Sequence, residues 1–506
     1  MEKQKRLERG NGVILPIFSL PSNYGIGTFG EAAYDAVDFL SDAGIKYWQI
    51  LPLGPTSYGD SPYQSFSSFA GNPYFIDLDI LIEEGLLEKE ELENLNFGDK
   101  TRFVDYGIQY NLRYRILEKA YDKARDSLKK EIEVFRKKEA YWIDDYALFM
   151  AIKHEKFDVS WIDWEDDLKN RKKTALDKFK KENKELINFY VFIQYEFFSQ
   201  WQKLKEYANR KEIKIIGDLP IYVALDSADA WVNSDILQLD PDTKEPIKVG
   251  GAPPDAYSED GQLWGNPLYD WKKLRESDFD FWIKRIGASL RLYDILRLDH
   301  FRGFEAYYSI PAEDDNARFG EWEEGKPYEL FDRVREKFPE AMFIAEDLGY
   351  ITDEVNELKD YYAFPGMNVI QFSFGENFDS DYLPHNYERN SVVYASTHDS
   401  DTLMGFLENA DDDLNELINL YFDLDTEDNK ERLWKINRAL MASVSDVAVF
   451  EFQDFLGFGN DSKINSPATL GINWKWRCLE EDFDDDLAKK IKNMAKLYGR
   501  FNHGQA

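Results

Sequence analysis

Four acidic residues follow apolar runs of this chain, and together they form the pattern with the clearest chemical meaning. These residues are Asp218, Asp299, Glu346 and Asp399. Two neighbouring carboxyl groups can act as nucleophile and general acid when one is ionised and the other is protonated. A single acid of this kind could belong to a structural ion pair, but four of them favour a shared catalytic site.

Arg297 precedes Asp299 by two positions in the apolar run that begins at Tyr293. In a β-strand, side chains two positions apart share a face, so the guanidinium lies beside the carboxylate. A cation at this distance favours the ionised form and lowers the pKa of Asp299, as a carboxylate nucleophile requires. A strand-end ion pair without catalytic function is the alternative. Burial behind residues 342–344 would keep Glu346 protonated, as a general acid requires.

Two of the five histidines, His300 and His398, flank two of the four acids. We expect both to be packed, hydrogen-bonding side chains, because the His and Cys spacing matches no metal site.

Residues 25–30 match the GxGxxG letters of dinucleotide-binding proteins. However, Pro16 and Pro21 separate them from the preceding strand, and no acid stands about 20 residues further on. We therefore predict a surface turn there and no organic cofactor, while bound Ca²⁺ stays an open question.

The charge balance restricts the partners of this 506-residue chain. Its 96 Asp and Glu residues exceed its 62 Lys and Arg residues, which gives a net charge of -34. This charge argues against binding to nucleic acid or to an anionic membrane.

No apolar run reaches the roughly 18 residues of a membrane span, and residues 13–20 suit a first strand better than a signal peptide. The single Cys478 fits a reducing compartment, so we predict a cytoplasmic protein of undetermined oligomeric state.

Short apolar segments alternate with helical patterns along the chain. They predict eight strands, at residues 12–16, 47–53, 213–218, 293–299, 341–347, 368–372, 392–399 and 447–450. Eight strands alternating with helices indicate an α/β fold of the (β/α)8 TIM barrel type, with helical and irregular insertions around the C-terminal face. In such a barrel the C-terminal ends of the strands converge, which would bring the four acids together.

The catalytic barrel is predicted to comprise residues 1–82 and 208–506. Residues 83–207 are rich in Lys and Glu with helical periodicity, so they predict a mainly helical insertion subdomain whose charges face solvent. Residues 224–271 are a second insertion, within the barrel. This segment is long and irregular but contains Trp231, Tyr257 and Trp264, so we predict a functional loop at the active site.

Aromatic residues accompany the acids. Residues 58–72 combine turn formers, hydroxyl groups and aromatic rings, which suits a loop that lines a site. Aromatic faces stack on the C–H faces of pyranose rings, and paired carboxyl groups cleave glycosidic bonds. The sequence therefore predicts a pocket for a sugar polymer.

Seven motifs, in order along nearly the whole chain, resemble those of one enzyme family. They are LPIFSLP (15–21), GDSPYQ (59–64), GDLPIYV (217–223), RLDHFRG (297–303), AEDLG (345–349), THD (397–399) and NWKWR (473–477). The chain closely resembles the amylomaltases, also called 4-α-glucanotransferases or disproportionating enzymes, of glycoside hydrolase family 77 in the α-amylase clan. Because the motifs are ordered and span the chain, the resemblance is specific.

The resemblance implies that Asp299 is the nucleophile, that Glu346 is the acid and then the base, and that Asp399 stabilises the transition state. It also implies that Tyr63 stacks under the reacting glucose. The full set of substrate-binding residues that it implies is Arg297, His398, Tyr63, Ser61, Asp218, Trp264, Asp347 and Asp255. Asp255 would belong to a loop that arches over the site.

The expected activity is the transfer of α-1,4-glucan segments from a donor glucan to the 4-hydroxyl group of an acceptor glucan or glucose, by a retaining double displacement. A hydrolase of α-1,4-glucans would use the same acids with water as acceptor, and is the nearest alternative. A non-catalytic glucan-binding protein is a third possibility. The expected ligands are α-1,4-glucans and maltooligosaccharides, without a cofactor.

Four positions depart from the family pattern. Ser396 and Ser400 stand where glycine and asparagine are usual, Asn368 replaces a basic residue, and Lys463 replaces an arginine. None of these changes removes an expected catalytic group. They leave the details of acceptor binding and chain-length preference undetermined.

Overall fold

The computed structural model describes residues 3–57, 59–98, 102–254, 258–374, 380–467 and 469–501. These residues form twelve strands: β1 (Gly10–Ile14), β2 (Tyr47–Gln49), β3 (Lys214–Leu219), β4 (Lys248–Ala252), β5 (Gln262–Pro267), β6 (Ile295–Leu298), β7 (Ala306–Pro311), β8 (Glu321–Glu324), β9 (Phe343–Ala345), β10 (Gly366–Val369), β11 (Ser391–Tyr394) and β12 (Val447–Glu451).

The same residues form the following α-helices: α1 (Glu31–Asp42), α2 (Leu78–Glu83), α3 (Tyr106–Ser127), α4 (Lys129–Lys138), α5 (Ile143–Glu155), α6 (Asp166–Lys169), α7 (Lys173–Glu182), α8 (Lys184–Arg210), α9 (Ala228–Val232), α10 (Trp271–Glu276), α11 (Asp280–Leu292), α12 (Arg302–Glu305), α13 (Pro327–Lys337), α14 (Asp353–Tyr362), α15 (Leu403–Asn409), α16 (Asp412–Phe422), α17 (Asn429–Ala442), α18 (Phe452–Leu456) and α19 (Asp485–Leu497). None of these helices is long and apolar enough to cross a membrane.

Eight parallel strands form the predicted barrel. Their order is β10-β11-β12-β1-β2-β3-β6-β9, and the Ala345 amide donates to the Pro365 carbonyl at 2.9 Å, which brings the two end strands together. Alternate residues point to the barrel axis and pack as one apolar layer, which includes Ile14, Ile216, Ile295, Ile344, Val369, Tyr394 and Val449. The prediction of a (β/α)8 barrel is thus confirmed.

Between β2 and β3 the described chain forms helices α2 to α8. The longest, α8, has 27 residues and buries apolar side chains at helical spacing, among them Ile187, Val191, Phe197, Trp201 and Leu204. It leads directly into β3, so the helical segment is continuous with the barrel wall. The proposed subdomain boundaries themselves stay a prediction.

A second, antiparallel sheet, in the order β5-β4-β7-β8, was not predicted. Two of its strands lie in the segment 224–271, which the sequence pattern indicated to be irregular. Close contact between β4 and β5 requires glycine at Gly251, because a Cβ atom there would lie 2.1 Å from the carbonyl oxygen of Gln262. Glycine lowers strand propensity, so these residues gave no strand signal.

Candidate active site

The barrel register places Asp299 and Glu346 side by side. Leu298 of β6 pairs with Ala345 of β9, so the next residue of each strand stands at the same level on neighbouring strands. The side chains of Arg297 and Ile344 point toward the barrel axis. Asp299 and Glu346 each follow one of them by two positions, so they face the same way. Neighbouring strands lie about 4.8 Å apart. Side chains at the same level on strands this close can bring their carboxyl groups to the roughly 5 to 5.5 Å that retaining glycosidases require.

The backbone at His300 holds the Glu346 carboxyl group. His300 has a positive φ of 49°, which is uncommon for a residue other than glycine. In this conformation its amide donates to Glu346 Oε2 at 2.5 Å, while the Leu348 amide donates to Glu346 Oε1 at 3.2 Å. Backbone strain of this kind often accompanies functional sites. The two amides together fix the orientation of the Glu346 carboxyl group.

Arg297 joins two of the four acids. Its Nη1 atom donates to Asp218 Oδ2 at 2.6 Å and to Asp299 Oδ1 at 3.0 Å, and the residue is only 4% exposed. The β3–β6 register explains this contact, because Asp218 pairs directly with Arg297. The predicted contact between Arg297 and Asp299 is therefore present, and Asp218 shares the same cation.

Tyr63 connects this group to His398. Burial raises the pKa of Tyr63, so its hydroxyl group stays protonated and donates to Asp218 Oδ2 at 2.6 Å. The hydroxyl has one hydrogen, so its contact of 2.8 Å with His398 Nε2 requires the histidine to donate. The two rings are also stacked, with centroids 5.5 Å apart and planes inclined by 10°. We therefore assign hydrogen to Nε2 of His398.

Asp399 is the most accessible of the acids, with a side chain that is 44% exposed. His398 Nε2 lies 3.1 Å from its Oδ2 atom, and Asn465 Nδ2 donates to its Oδ1 atom at 2.6 Å. Desolvation opposes ionisation, but the contacts with His398 and Asn465 outweigh it and lower the pKa of Asp399 to about 2. The carboxylate is thus ionised throughout the physiological range and can accept hydrogen bonds from hydroxyl groups.

The two central acids have separated pKa values. Burial raises the pKa of Asp299 to about 6, although the Arg297 cation opposes this shift. The expectation that Arg297 gives Asp299 a lowered pKa is therefore wrong, because desolvation exceeds the attraction; the acid is nevertheless mostly ionised at pH 7. Burial raises the pKa of Glu346 to about 8, against the effect of Arg297 and with a further contribution from Asp299. At pH 7 Glu346 is protonated, as predicted.

The other residues predicted to bind substrate make separate contacts around these acids. Trp264 of β5 contacts the His300 ring edge-on, with centroids 4.9 Å apart. The Ser61 hydroxyl accepts from the Tyr63 amide at 3.3 Å and so shapes the turn that carries Tyr63. The structure places the Asp347 carboxylate against Lys359 Nζ at 2.6 Å and the Met367 amide at 2.7 Å. Asp255 lies outside the described residues.

Two residues of the site were missed by the sequence reasoning. Asn465 binds Asp399, and the Trp474 ring lies 5.8 Å from Tyr63 and 6.2 Å from His398. Trp474 has a positive φ of 63°, like His300. The Asn-Trp pair in the motif at 473–477 was a usable signal for Trp474, whereas Asn465 stands in a polar segment without a distinctive pattern. Among the residues that the structure describes, no group of three or more His, Cys, Asp or Glu side chains could hold a metal ion.

Comparisons with known proteins agree with this geometry. A family profile described as 4-alpha-glucanotransferase matches residues 15–481. The 4-alpha-glucanotransferase of Clostridium butyricum is 51% identical over 485 residues, which cover 96% of this chain and 99% of the relative. The Aquifex aeolicus 4-alpha-glucanotransferase is 41% identical over 491 residues, covering 97% and 99%.

A solved structure, the amylomaltase from Streptococcus agalactiae in complex with acarbose, is similar over 98% of this chain and 100% of its own. It has a TM-score of 0.94 and 40% sequence identity. The similarity extends over the barrel and its insertions alike. The chain therefore belongs to the 4-alpha-glucanotransferase family.

Proposed function

We propose that this protein transfers α-1,4-glucan segments from a donor glucan to the 4-hydroxyl group of an acceptor glucan or glucose, with retention at the anomeric carbon. The observation that carries the proposal is the pair Asp299 and Glu346, which stand side by side just beyond the ends of neighbouring strands with opposite protonation at pH 7. This combination supplies a nucleophile and an acid without a cofactor.

In the first step the donor is cleaved. The Asp299 carboxylate attacks the anomeric carbon while Glu346 gives its proton to the glycosidic oxygen, and the bond between that carbon and oxygen breaks. The leaving glucan departs with a free 4-hydroxyl group. The glycosyl part stays as a β-linked ester of Asp299, and Glu346 becomes a carboxylate.

In the second step the acceptor replaces the leaving glucan. The Glu346 carboxylate takes the proton of the acceptor 4-hydroxyl group as its oxygen attacks the anomeric carbon. The ester bond to Asp299 breaks, and an α-1,4 linkage forms. Both acids return to their initial states, and two inversions give net retention.

The surrounding side chains bind the sugar. Ionised Asp399 accepts hydrogen bonds from ring hydroxyl groups, and these strengthen as the ring distorts toward the transition state. Within the described structure, Asp218 Oδ1 and His300 Nε2 are buried without a hydrogen-bond partner, and we propose that they bind further hydroxyl groups when the sugar reaches them. Burial lowers the pKa of His300 to about 4, which leaves a neutral ring that can accept. Tyr63 and Trp264 offer aromatic surfaces to the pyranose rings.

We propose a cytoplasmic location, because the single Cys478 is buried and suited to a reducing compartment. Ser61, Asp347 and Asp255 are proposed to bind more distant glucose units. Lys359 already donates to the Asp347 carboxylate. Asp347 would therefore bind a glucose unit either after releasing Lys359 or through the lone pairs that Lys359 does not use.

Incubation with maltotriose tests transfer against hydrolysis. We expect glucose together with a ladder of longer maltooligosaccharides, while the number of reducing ends stays constant, because each cleavage is followed by a new linkage. Chromatography of the products and a reducing-end assay measure both quantities. A steady rise in reducing ends without longer products would indicate the hydrolase, and unchanged maltotriose would indicate a binding protein.

The pH dependence of kcat/KM for maltotriose is expected to be bell-shaped, with its maximum near pH 7. Below about pH 6 Asp299 gains a proton and the nucleophile is lost, whereas above about pH 8 Glu346 loses its proton and the acid is lost. Initial rates between about pH 4 and pH 10 measure the acidic and the alkaline limb of the profile. This range extends about two pH units beyond each of the two pKa values. A single limb, or a maximum far from neutrality, would contradict the proposed protonation states.

A further inference from the structure

Two buried acids that the proposed mechanism does not use lie beside the segment that carries His398 and Asp399. Glu451 ends β12 and is 1% exposed, and Asp454 of α18 is 0% exposed. The register of β11 and β12 pairs Tyr394 with Val449, so two residues further on Ser396 stands next to Glu451 at the top of the barrel. The carboxyl groups therefore border the active site from the β11–β12 side.

Asp454 holds both ends of the segment 396–403. Its Oδ2 atom accepts a short hydrogen bond from the Ser396 hydroxyl group, and its Oδ1 atom accepts from the Leu403 amide at 2.8 Å. One carboxylate thus closes a loop of eight residues that includes His398 and Asp399. Bidentate acceptance by a single ionised group is a strong local constraint on the backbone.

The hydrogen bonds around Ser396 determine where a proton must be. Ser396 Oγ lies within hydrogen-bond distance of Asp454 Oδ2 and also 3.1 Å from Glu451 Oε2. The hydroxyl group has a single hydrogen and can satisfy one carboxylate, so the second contact requires a carboxyl O–H that donates to Oγ. The proton is assigned to Glu451, because the Leu403 amide also donates to Asp454 and so favours its ionised form.

Burial supports the same assignment. Glu451 Oε1 is buried without a hydrogen-bond partner among the residues that the structure describes, and an ionised oxygen in that position would be costly. Desolvation and the neighbouring Asp454 raise the pKa of Glu451, against the effects of Ser396 and Lys463. Desolvation also raises the pKa of Asp454, but only to about 6, so Asp454 is mostly ionised at pH 7.

We propose that Glu451, Ser396 and Asp454 form a clamp in which protonated Glu451 donates to Ser396, Ser396 donates to ionised Asp454, and Asp454 fixes the loop 396–403. The three are positioning residues that act through His398 and Asp399. The proposal rests on the proposed role of Asp399 in stabilising the transition state.

A double-mutant cycle between Ser396→Ala and Asp399→Asn tests the clamp. The measured quantity is the kcat for fluoride release from α-maltosyl fluoride, an activated donor on which impaired variants remain measurable. Ser396→Ala is expected to lower kcat about tenfold, as loss of a hydrogen bond to a charged group would. In the Asp399→Asn background the same change should alter kcat less than about twofold, because the group that the clamp positions is already missing.

Ser391→Ala is the matched control. Ser391 is a buried serine at the start of β11, whereas Ser396 lies two residues beyond its end, and the Ser391 hydroxyl group contacts that of Ser445. We expect its variant to keep full activity. A tenfold loss for Ser396→Ala that persists undiminished in the Asp399→Asn background would overturn the clamp, since a general loss of stability acts additively. Full activity of Asp399→Asn alone would instead overturn the proposed role of Asp399, so the two failures are distinguishable.

A second pair of variants tests the proton on Glu451 without altering Ser396. Gln supplies an N–H donor in place of the carboxyl O–H, whereas Met has similar length and no donor. Glu451→Gln is expected to lose less than about threefold in kcat, and Glu451→Met about tenfold, like Ser396→Ala. Circular dichroism and thermal melting establish that each variant is folded. Equal activity of folded Gln and Met variants would contradict the proton-dependent clamp.

Discussion

Asp299→Asn is expected to lower the kcat of glucan transfer on the order of 10⁴-fold or more, as the loss of a covalent nucleophile does. The amide has nearly the same shape as the carboxyl group but cannot form the glycosyl ester. Binding should persist, because Arg297 keeps Asp218 as a partner and the aromatic surfaces are unchanged. Transfer rates with maltotriose and its dissociation constant from calorimetry measure the two effects.

Thermal melting provides a control for the fold of this variant. Burial raises the pKa of Asp299, so its charge at neutral pH lowers the free energy of unfolding, and the neutral amide should not reduce Tm. Asp294→Asn is the matched variant, since Asp294 precedes the same strand at the opposite end of the barrel and binds Asn209 there. It is expected to keep full activity. Near-normal turnover by Asp299→Asn would reject Asp299 as the nucleophile.

Glu346→Gln is expected to lower kcat with maltotriose about 10²- to 10⁴-fold, the usual contribution of a general acid or base. Both steps lose their proton transfer, since Gln neither donates to the leaving oxygen nor accepts from the acceptor hydroxyl group. In wild type the His300 and Leu348 amides donate to different oxygens of Glu346, so one of the two amides can still donate to the single side-chain oxygen of Gln. Initial rates at pH 7 measure the effect.

An activated donor separates the loss of the general acid in the first step from the loss of the general base in the second. Fluoride leaves α-maltosyl fluoride without needing a proton, so the first step of Glu346→Gln should approach the wild-type rate with this donor. The alkaline limb of that step should also disappear, because the group whose pKa is raised to about 8 is gone. Stopped-flow measurement of the fluoride burst follows this step. If maltotriose and the fluoride were affected equally, Glu346 would not be the acid.

Much of the site could be predicted because its acids stand at positions that the local sequence pattern reveals. Asp299, Glu346 and Asp399 follow buried apolar strands, and the convergence of strand ends in a barrel brings such residues together without knowledge of other contacts. Asp218 differs slightly, since it lies inside β3 and pairs with Arg297. The barrel was predicted from short apolar segments that alternate with helical patterns along the chain.

The parts that were missed depend on contacts between distant segments. Asn465 reaches Asp399 across 66 positions, and nothing in its neighbourhood marks it as a ligand of a carboxylate. Strand β4 pairs with β7, more than 50 residues further along the chain, and the glycines of β4 and β5 weaken the local strand signal. The pKa of Asp299 was misjudged for a related reason, because the sequence displays its cation but not the depth of its burial.

The covalent intermediate on Asp299 can be detected by intact-protein mass spectrometry of Glu346→Gln mixed with α-maltosyl fluoride. The first step proceeds without the acid while the second lacks its base, so a maltosyl-enzyme should accumulate. We expect the protein mass to increase by one maltosyl group, and peptide mapping to place that group on Asp299. Added maltotriose should remove it only slowly. Complete fluoride release without a covalent adduct, or an adduct on another residue, would show that Asp299 does not form the glycosyl ester.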